Sequence, residues 1–228
     1  MGVSVFLPVR RGSERVAHKN TRKFANFKGG LLEFKLLQLK KLEAVEEIVL
    51  STNDEICQKI GLSYQKEIRN LKVIERPEKL GNSTTNLKDL IKHAGEVSNS
   101  EDILWTHVTS PFCDTLIYQN AVKLFYKNRK LGYDSLISGR EYQDFLLDSR
   151  TGEIVNNSTI LDWPRTQDLN NWFEINNGIF LTGKDNFKNG KRVGSKPFLF
   201  EMGKIASLDI DHDEDFVLAE LVYEGIYR

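Results

Sequence analysis

The chain has 228 residues, 40% hydrophobic and 28% charged, a composition that suits a folded globular protein and argues against disorder, collagen or coiled coil. A chain of this length buries about 70% of its unfolded surface without staples, as one large domain or two small ones. Lysine plus arginine number 32, as do aspartate plus glutamate, so no whole-molecule field attracts nucleic acid or an anionic membrane, and any basic patch is local.

Two cysteines, Cys57 and Cys113, and an opening Met-Gly-Val-Ser with neither a basic n-region nor a cleavage site point to a reducing cytoplasm. No apolar run approaches the roughly 18 residues of a membrane span. The four histidines and two cysteines lack zinc-ligand spacing.

The first apolar, β-branched run, residues 3–7, suits a strand covered on both faces. Similar runs at 47–50, 72–74, 103–108 and 135–137 alternate with helical patterns at 31–42, 54–60, 86–96 and 115–126. Such alternation predicts a mostly parallel, Rossmann-like α/β sheet flanked by helices and joined by right-handed crossovers. After Gly139 the pattern changes. Residues 144–147 and 154–155 flank a turn-rich 148–152, which predicts an antiparallel hairpin inside an excursion over about 140–173. A strand is expected over 175–181, a helical turn after Gly183, and a strand end over 207–211. A last helix starts near Asp213, its acidic first turn favoured by the helix dipole. No repeat or linker separates these parts, so one domain is expected.

The loop after the first strand, residues 8–20, has the composition of an anion site. Ligands of open α/β sheets bind beyond the carboxyl ends of strands, where this loop lies. Gly12 permits close backbone approach, and Arg10, Arg11, Arg15 and Lys19 supply charge for a polyphosphate. With one glycine and no Gly-Lys-Ser it is neither common phosphate fingerprint, and on composition alone it reads equally as a solvated basic loop.

Asp209 and Asp211 stand two apart, so strand alternation would put both carboxylates on one face, an arrangement suited to Mg²⁺. They also fit an acidic run that opens the following helix. A polyphosphate loop and metal carboxylates together imply phosphoryl or nucleotidyl transfer. Residues 51–54 and Thr109, Ser110 and Pro111 each follow a strand and face the same edge, as substrate contacts or as turn chemistry; residues 76–81 are a nucleotide-contacting loop or a turn.

These pieces, taken in order, resemble the acylneuraminate cytidylyltransferase (CMP-sialic acid synthetase) family and, more distantly, the synthetase that activates 3-deoxy-manno-octulosonate. The likeness runs through residues 7–10 with Gly12, Ser13, Lys19 and Asn20, then 51–54, Arg76 with Leu80, residues 108–111, Asn177 with Gly178 and Phe180, and 207–211. It implies a single α/β domain with a small antiparallel dimerisation excursion, hence a homodimer. It also implies transfer of CMP from CTP to a 2-keto-3-deoxy sugar acid, sialic acid or a related nonulosonate, for surface glycan biosynthesis.

On that resemblance Arg10, Gly12, Ser13, Lys19 and Asn20 match nucleotide contacts, Arg76, Gly81 and Asn82 a cytidine loop, and Asp209 and Asp211 the Mg²⁺ carboxylates. Arg10, Arg15 and Lys19 supply charge at the triphosphate. His107, Thr109, Ser110, Arg165 and Asn177 match the acceptor side, with Arg165 a carboxylate clamp. Three departures stand out. Glu14 occupies a place where sialic acid-activating members carry lysine, and Arg15 could supply that charge instead. His107 replaces a common glutamine, and Phe173 and Glu174 lie where a second arginine is expected.

The readings kept beside this one are a cytidylyltransferase for an octulosonate, phosphonate or sugar phosphate, and a non-catalytic nucleotide-binding module. His18, His93 and His212 read as exposed residues, Trp105 as core, Trp163 and Trp172 as a dimer surface or site lid, and both cysteines as structural.

Overall fold

Strand β1 (Val3–Val9) is almost wholly buried because parallel strands flank it and helices cover both its faces. The computed structural model describes residues 2–13, 15–82 and 84–227. In chain order the remaining strands are β2 (Val45–Thr52), β3 (Leu71–Glu75), β4 (Asp102–Trp105), β5 (Ser135–Tyr142), β6 (Trp172–Gly183) and β7 (Pro197–Glu201). The helices are α1 (Gly30–Leu39), α2 (Glu55–Tyr64), α3 (Leu87–Val97), α4 (Thr115–Arg129), α5 (Lys184–Lys188) and α6 (Asp213–Tyr227).

Among the described residues, seven strands form one sheet in the order β3-β2-β1-β4-β6-β5-β7. Only β6 runs against the others, pairing antiparallel with β4 and β5. Alternation along the strands splits the core into two layers. Val5, Leu7 and Leu104 pack beneath α1 and α4, whereas Phe6, Ile103 and Trp105 pack with Ile91, Ala94 and Phe187 of α3 and α5. Polar side chains at the strand ends start the helices: Asp54 accepts from the amides of Ile56 and Cys57, Asn86 from Lys88, and Asp114 from Ile117. Among the described residues no helix is long and apolar enough to cross a membrane.

The predicted α/β sheet is present, with four corrections. Residues 207–211 are not a strand. They follow two turns, Ser207 N–H to the Gly203 carbonyl and Leu208 N–H to that of Ile205, and hang on the sheet through Ile210 N–H to the Thr109 carbonyl at 2.8 Å. The expected elements do not include strand β7, a five-residue edge strand that opens on proline and closes on glutamate, so that its apolar run, Phe198 to Phe200, is too short to tell from a loop.

The expected hairpin of the excursion reduces to one antiparallel bridge, Leu147 to Ile154. Its spine is the fully buried Asn156, which contacts the backbone of Asp144, Leu146 and Asn170. His93 is not a surface residue but 7% exposed, with a ring nitrogen 3.1 Å from Ser51 Oγ, because α3 lies flat on the sheet. Both cysteines are buried, and burial pushes the thiols up to about 12 at Cys57 and about 11 at Cys113, which keeps them protonated.

Candidate active site

Strands β1, β2 and β4 end at the same edge, so the loops after them converge on a cavity of about 620 Å³. The first loop is held in place rather than free. Arg11 N–H donates to Asn53 Oδ1 at 2.9 Å, Asn20 Nδ2 to the Arg10 carbonyl at 3.2 Å, and Val16 N–H to Ser13 Oγ at 3.4 Å. Gly12 has φ +71 with nothing near an added Cβ, so its backbone stays open to a ligand. Arg10, Gly12, Ser13, Arg15, Lys19 and Asn20 all line the cavity; Glu14 lies outside the described residues.

The opposite wall carries the two carboxylates. Ile210 between them is fully buried, which turns both Asp209 and Asp211 toward the cavity without a strand to alternate them. The walls touch: Arg15 Nη2 lies 2.7 Å from Asp211 Oδ1, and Lys19 Nζ donates to the Ile210 carbonyl at 2.8 Å while standing 3.6 Å from Asp211. Asp209 is more enclosed. Burial, then the neighbouring Asp211 charge, raise its carboxyl above the ordinary range, against bonds from Thr109 and Asn177. Its Oδ1 is buried without a hydrogen-bond partner among the described residues. Such an orphaned anionic oxygen beside a second carboxylate is a donor set for a hard cation.

A second cavity of about 420 Å³ borders the same pair from the other side, lined by Arg140, Glu174, Asn177 and Lys204. Asn177, held at φ +57, closes the gap with Nδ2 3.5 Å from Asp209 Oδ2.

Arg76 is 2% exposed and donates to Ser51 Oγ and the Ser51 carbonyl, and its charge is directed at the cavity floor beside Arg10. Gly81 and Asn82 do not line the cavity. A Cβ on Gly81 would fall 2.2 Å from Asn53 Nδ2, so this glycine makes room for the side chain that holds Arg11. Ser110 is buried, with its carbonyl taken by Lys35, and does not line the cavity. Arg165 sits on the excursion, 73% exposed and paired with Asp168 at 2.8 Å, and borders neither cavity. Its neighbour Trp163 is exposed, as is Trp172.

His107 does line the cavity, in a defined state. Trp105 Nε1–H donates to His107 Nε2 at 2.8 Å, so Nε2 is an acceptor and the ring proton sits on Nδ1. Burial, then the charge of Arg192, lower its pKa to about 3. The folded value therefore lies below the unfolded 6.5, and the linked stability grows as pH rises from about 3 to 6.5 and is lost on acidification through that window. His107→Gln preserves an acceptor for the indole and removes the titration. We expect urea midpoints that fall more steeply below pH 6.5 in the unaltered protein than in this variant.

Sequence reasoning missed Arg192 and the apolar shelf formed by Leu87 and Leu90 of α3, which also border the cavity.

No family model matches the chain. It is 22% identical over 221 residues, 93% of its length and 91% of the relative's, to the post-translational flagellin modification protein B of Campylobacter coli. It is 24% identical over 178 residues to an N-acylneuraminate cytidylyltransferase of Streptococcus agalactiae; the match takes in 75% of this chain and spans 41% of that protein. Among solved structures, a CMP:2-keto-3-deoxy-manno-octonic acid synthetase complexed with CTP superposes with a TM-score of 0.69, at 9% identity, covering 99% of both chains. The chain has the fold of that synthetase. On that fold, the loop after β1 and the Asp209–Asp211 segment are the two sides of one cleft.

Proposed function

We propose that the protein is a nucleotidyltransferase that moves the cytidylyl group of CTP onto a 2-keto-3-deoxy sugar acid, a sialic acid or related nonulosonate, in the cytoplasm, for surface glycan biosynthesis. The observation that carries this reading is the direct contact, inside one cavity, between a basic loop with an open glycine and a pair of carboxylates with an orphaned oxygen. A triphosphate needs the first and a divalent cation the second.

Asp209 and Asp211 would hold Mg²⁺, which when bound neutralises phosphate charge and acidifies a coordinated hydroxyl. Arg10, Lys19 and the Gly12 and Ser13 backbone bind the triphosphate, and Arg15 exchanges Asp211 for a phosphate oxygen. Arg76 and the Leu87–Leu90 shelf receive the nucleoside. Thr109 and Asn177 orient Asp209 and with it the acceptor, whose anomeric hydroxyl bonds to the α-phosphorus. The bond from the α-phosphorus to the bridging oxygen breaks, pyrophosphate leaves, and the hydroxyl proton passes to solvent. Catalysis on this reading is positioning and charge neutralisation.

The name of the streptococcal relative favours a nonulosonate acceptor, and that of the structural neighbour favours an octulosonate. Pyrophosphate release with Mg²⁺ and CTP, against ATP, GTP and UTP, over a panel of such acids tests the reading. We expect turnover with CTP and one acid. No release with any acid, and no CTP binding by calorimetry, would discard it. The exposed Ile160, Leu161 and Trp163 of the excursion suit the homodimer that the resemblance implies, which sedimentation would register as twice the chain mass.

A further inference from the structure

Arg192 is the cavity-lining cation that the reaction above leaves without a task. Arg15 and Lys19 face Asp211, and Arg76 is bound to Ser51. The Arg192 guanidinium lies 4.0 Å from the Phe180 ring centroid and 5.2 Å from that of Trp105. Among the described residues no carboxylate, carbonyl or hydroxyl receives its N–H groups. A half-buried guanidinium held only by ring faces keeps its planar donor edge for something that the chain does not supply.

The backbone around it is fixed. Lys191 N–H donates to the Asn186 carbonyl at 2.9 Å, and Gly194 N–H to Ser135 Oγ at 2.9 Å. Asp134 then accepts from Ser195 N–H, Ser195 Oγ–H and Lys196 N–H at 2.7, 2.7 and 3.0 Å. These bonds hold the Asp134 carboxyl down at about 2, so the anchor is ionised throughout the working pH range. A cation this firmly placed and left unbonded is pre-organised for a ligand.

Position decides which ligand. Arg192 packs on side chains of β4 and β6, whereas the basic loop leaves β1, two strands or about 10 Å from β6. It therefore stands over β4 and β6, the strands that lead to Thr109 and carry Asn177, the two residues that orient the acceptor on the reading above. His107, whose one ring donor is Nδ1–H, stands beside it. The other cations near that side are already used or dispersed: Arg140 faces Glu174 at 2.5 Å, Arg165 faces Asp168, and Lys204 is exposed.

We propose that Arg192 is the carboxylate clamp of the acceptor, taking the sugar acid's carboxylate with its guanidinium fork while the Trp105–His107 pair donates a second polar contact from Nδ1–H. The proposal rests on the nucleotidyltransferase reading and names the residue that makes an acid the preferred acceptor.

The test compares the sugar acid with its primary carboxamide in the pyrophosphate assay, for the unaltered protein, Arg192→Gln and Arg192→Lys. In Arg192→Gln the KM for the acid should rise about ten- to a hundredfold, the expected loss of a charge-assisted pair. The preference for acid over amide should collapse, with the KM for CTP and the melting midpoint unchanged. Arg192→Lys retains charge without the fork and should fall between. A shift in the KM for CTP instead, or an acid-to-amide ratio unaltered in Arg192→Gln, overturns the clamp while leaving the nucleotidyltransferase reading intact. Absence of turnover by the unaltered protein with every acid overturns both.

Discussion

Asp209→Asn is expected to cut pyrophosphate release by about a thousandfold or more while the protein stays folded and melts no lower than the unaltered chain. The two halves of this expectation have one cause. Asp209 is enclosed, its Oδ1 has no partner, and Asp211 repels it, so ionising it costs the free protein energy. Asparagine removes that cost and still accepts from Thr109 and Asn177, but it removes the anionic oxygen on which a cation and the transferring phosphate would assemble. Stability and activity should therefore move in opposite directions, the signature of strain retained for chemistry. Turnover within tenfold of the unaltered protein, or a melting midpoint lowered by several degrees, would refute the assignment.

Lys35→Met is the most damaging single change expected for the fold. Lys35 is wholly buried, and its ammonium donates to the Ser110 and Cys113 carbonyls at 2.8 Å each and to the Tyr118 hydroxyl at 2.9 Å. Replacing a buried ionic group by an apolar one can be neutral when all its partners are replaced too. Here two of the partners are backbone carbonyls, which no side-chain substitution removes, so the variant leaves them unpaired in the core. A loss of about 3 kcal/mol is expected, and a fall in melting midpoint of about 6–12 °C.

Burial lowers the Lys35 pKa to about 8 from 10.5. The unfolded chain then binds the extra proton between those values, so stability linked to Lys35 rises with pH from about 8 to 10.5. That alkaline rise should vanish in Lys35→Met. An unchanged midpoint with an unchanged alkaline slope would show that the lysine does not hold this segment.

Much of the fold was legible because β1, β2 and β4 are buried on both faces and each carries a short apolar run, residues 5–7, 48–50 and 103–105. Strand β7 was not, since three apolar residues between Pro197 and Glu201 do not separate an edge strand from a loop. Alternation also misled at 207–211. Ile210 does point inward and its neighbours outward, but a turn-bound segment achieves this through its bond to Thr109.

In the site, the basic loop, the carboxylate pair and Thr109 line one cavity as composition and strand ends suggested, and Asn177, which only the resemblance singled out, lines it too. Gly81, Asn82, Ser110 and Arg165 matched by position yet stand elsewhere, because a position in a pattern does not fix which way a side chain turns. Arg192 left no trace in the sequence: a Lys-Arg pair near glycine and serine looks like solvent-facing loop until the Phe180 and Trp105 rings beneath it are seen.

The bond from Arg15 to Asp211 joins residues 196 apart, and those from Lys19 to the Ile210 carbonyl and Arg22 to Asp213 each span 191. A chain emerging from the ribosome can therefore lay down β1 through β4 and their helices long before the partners of its first loop exist. Until then Arg15, Lys19 and Arg22 have no carboxylates opposite them, and the first loop lacks the bonds that join it to the far end of the chain. Cleavage or premature termination anywhere before residue 209 would leave the same species behind. The order of synthesis thus places the completion of the site among the last events of folding.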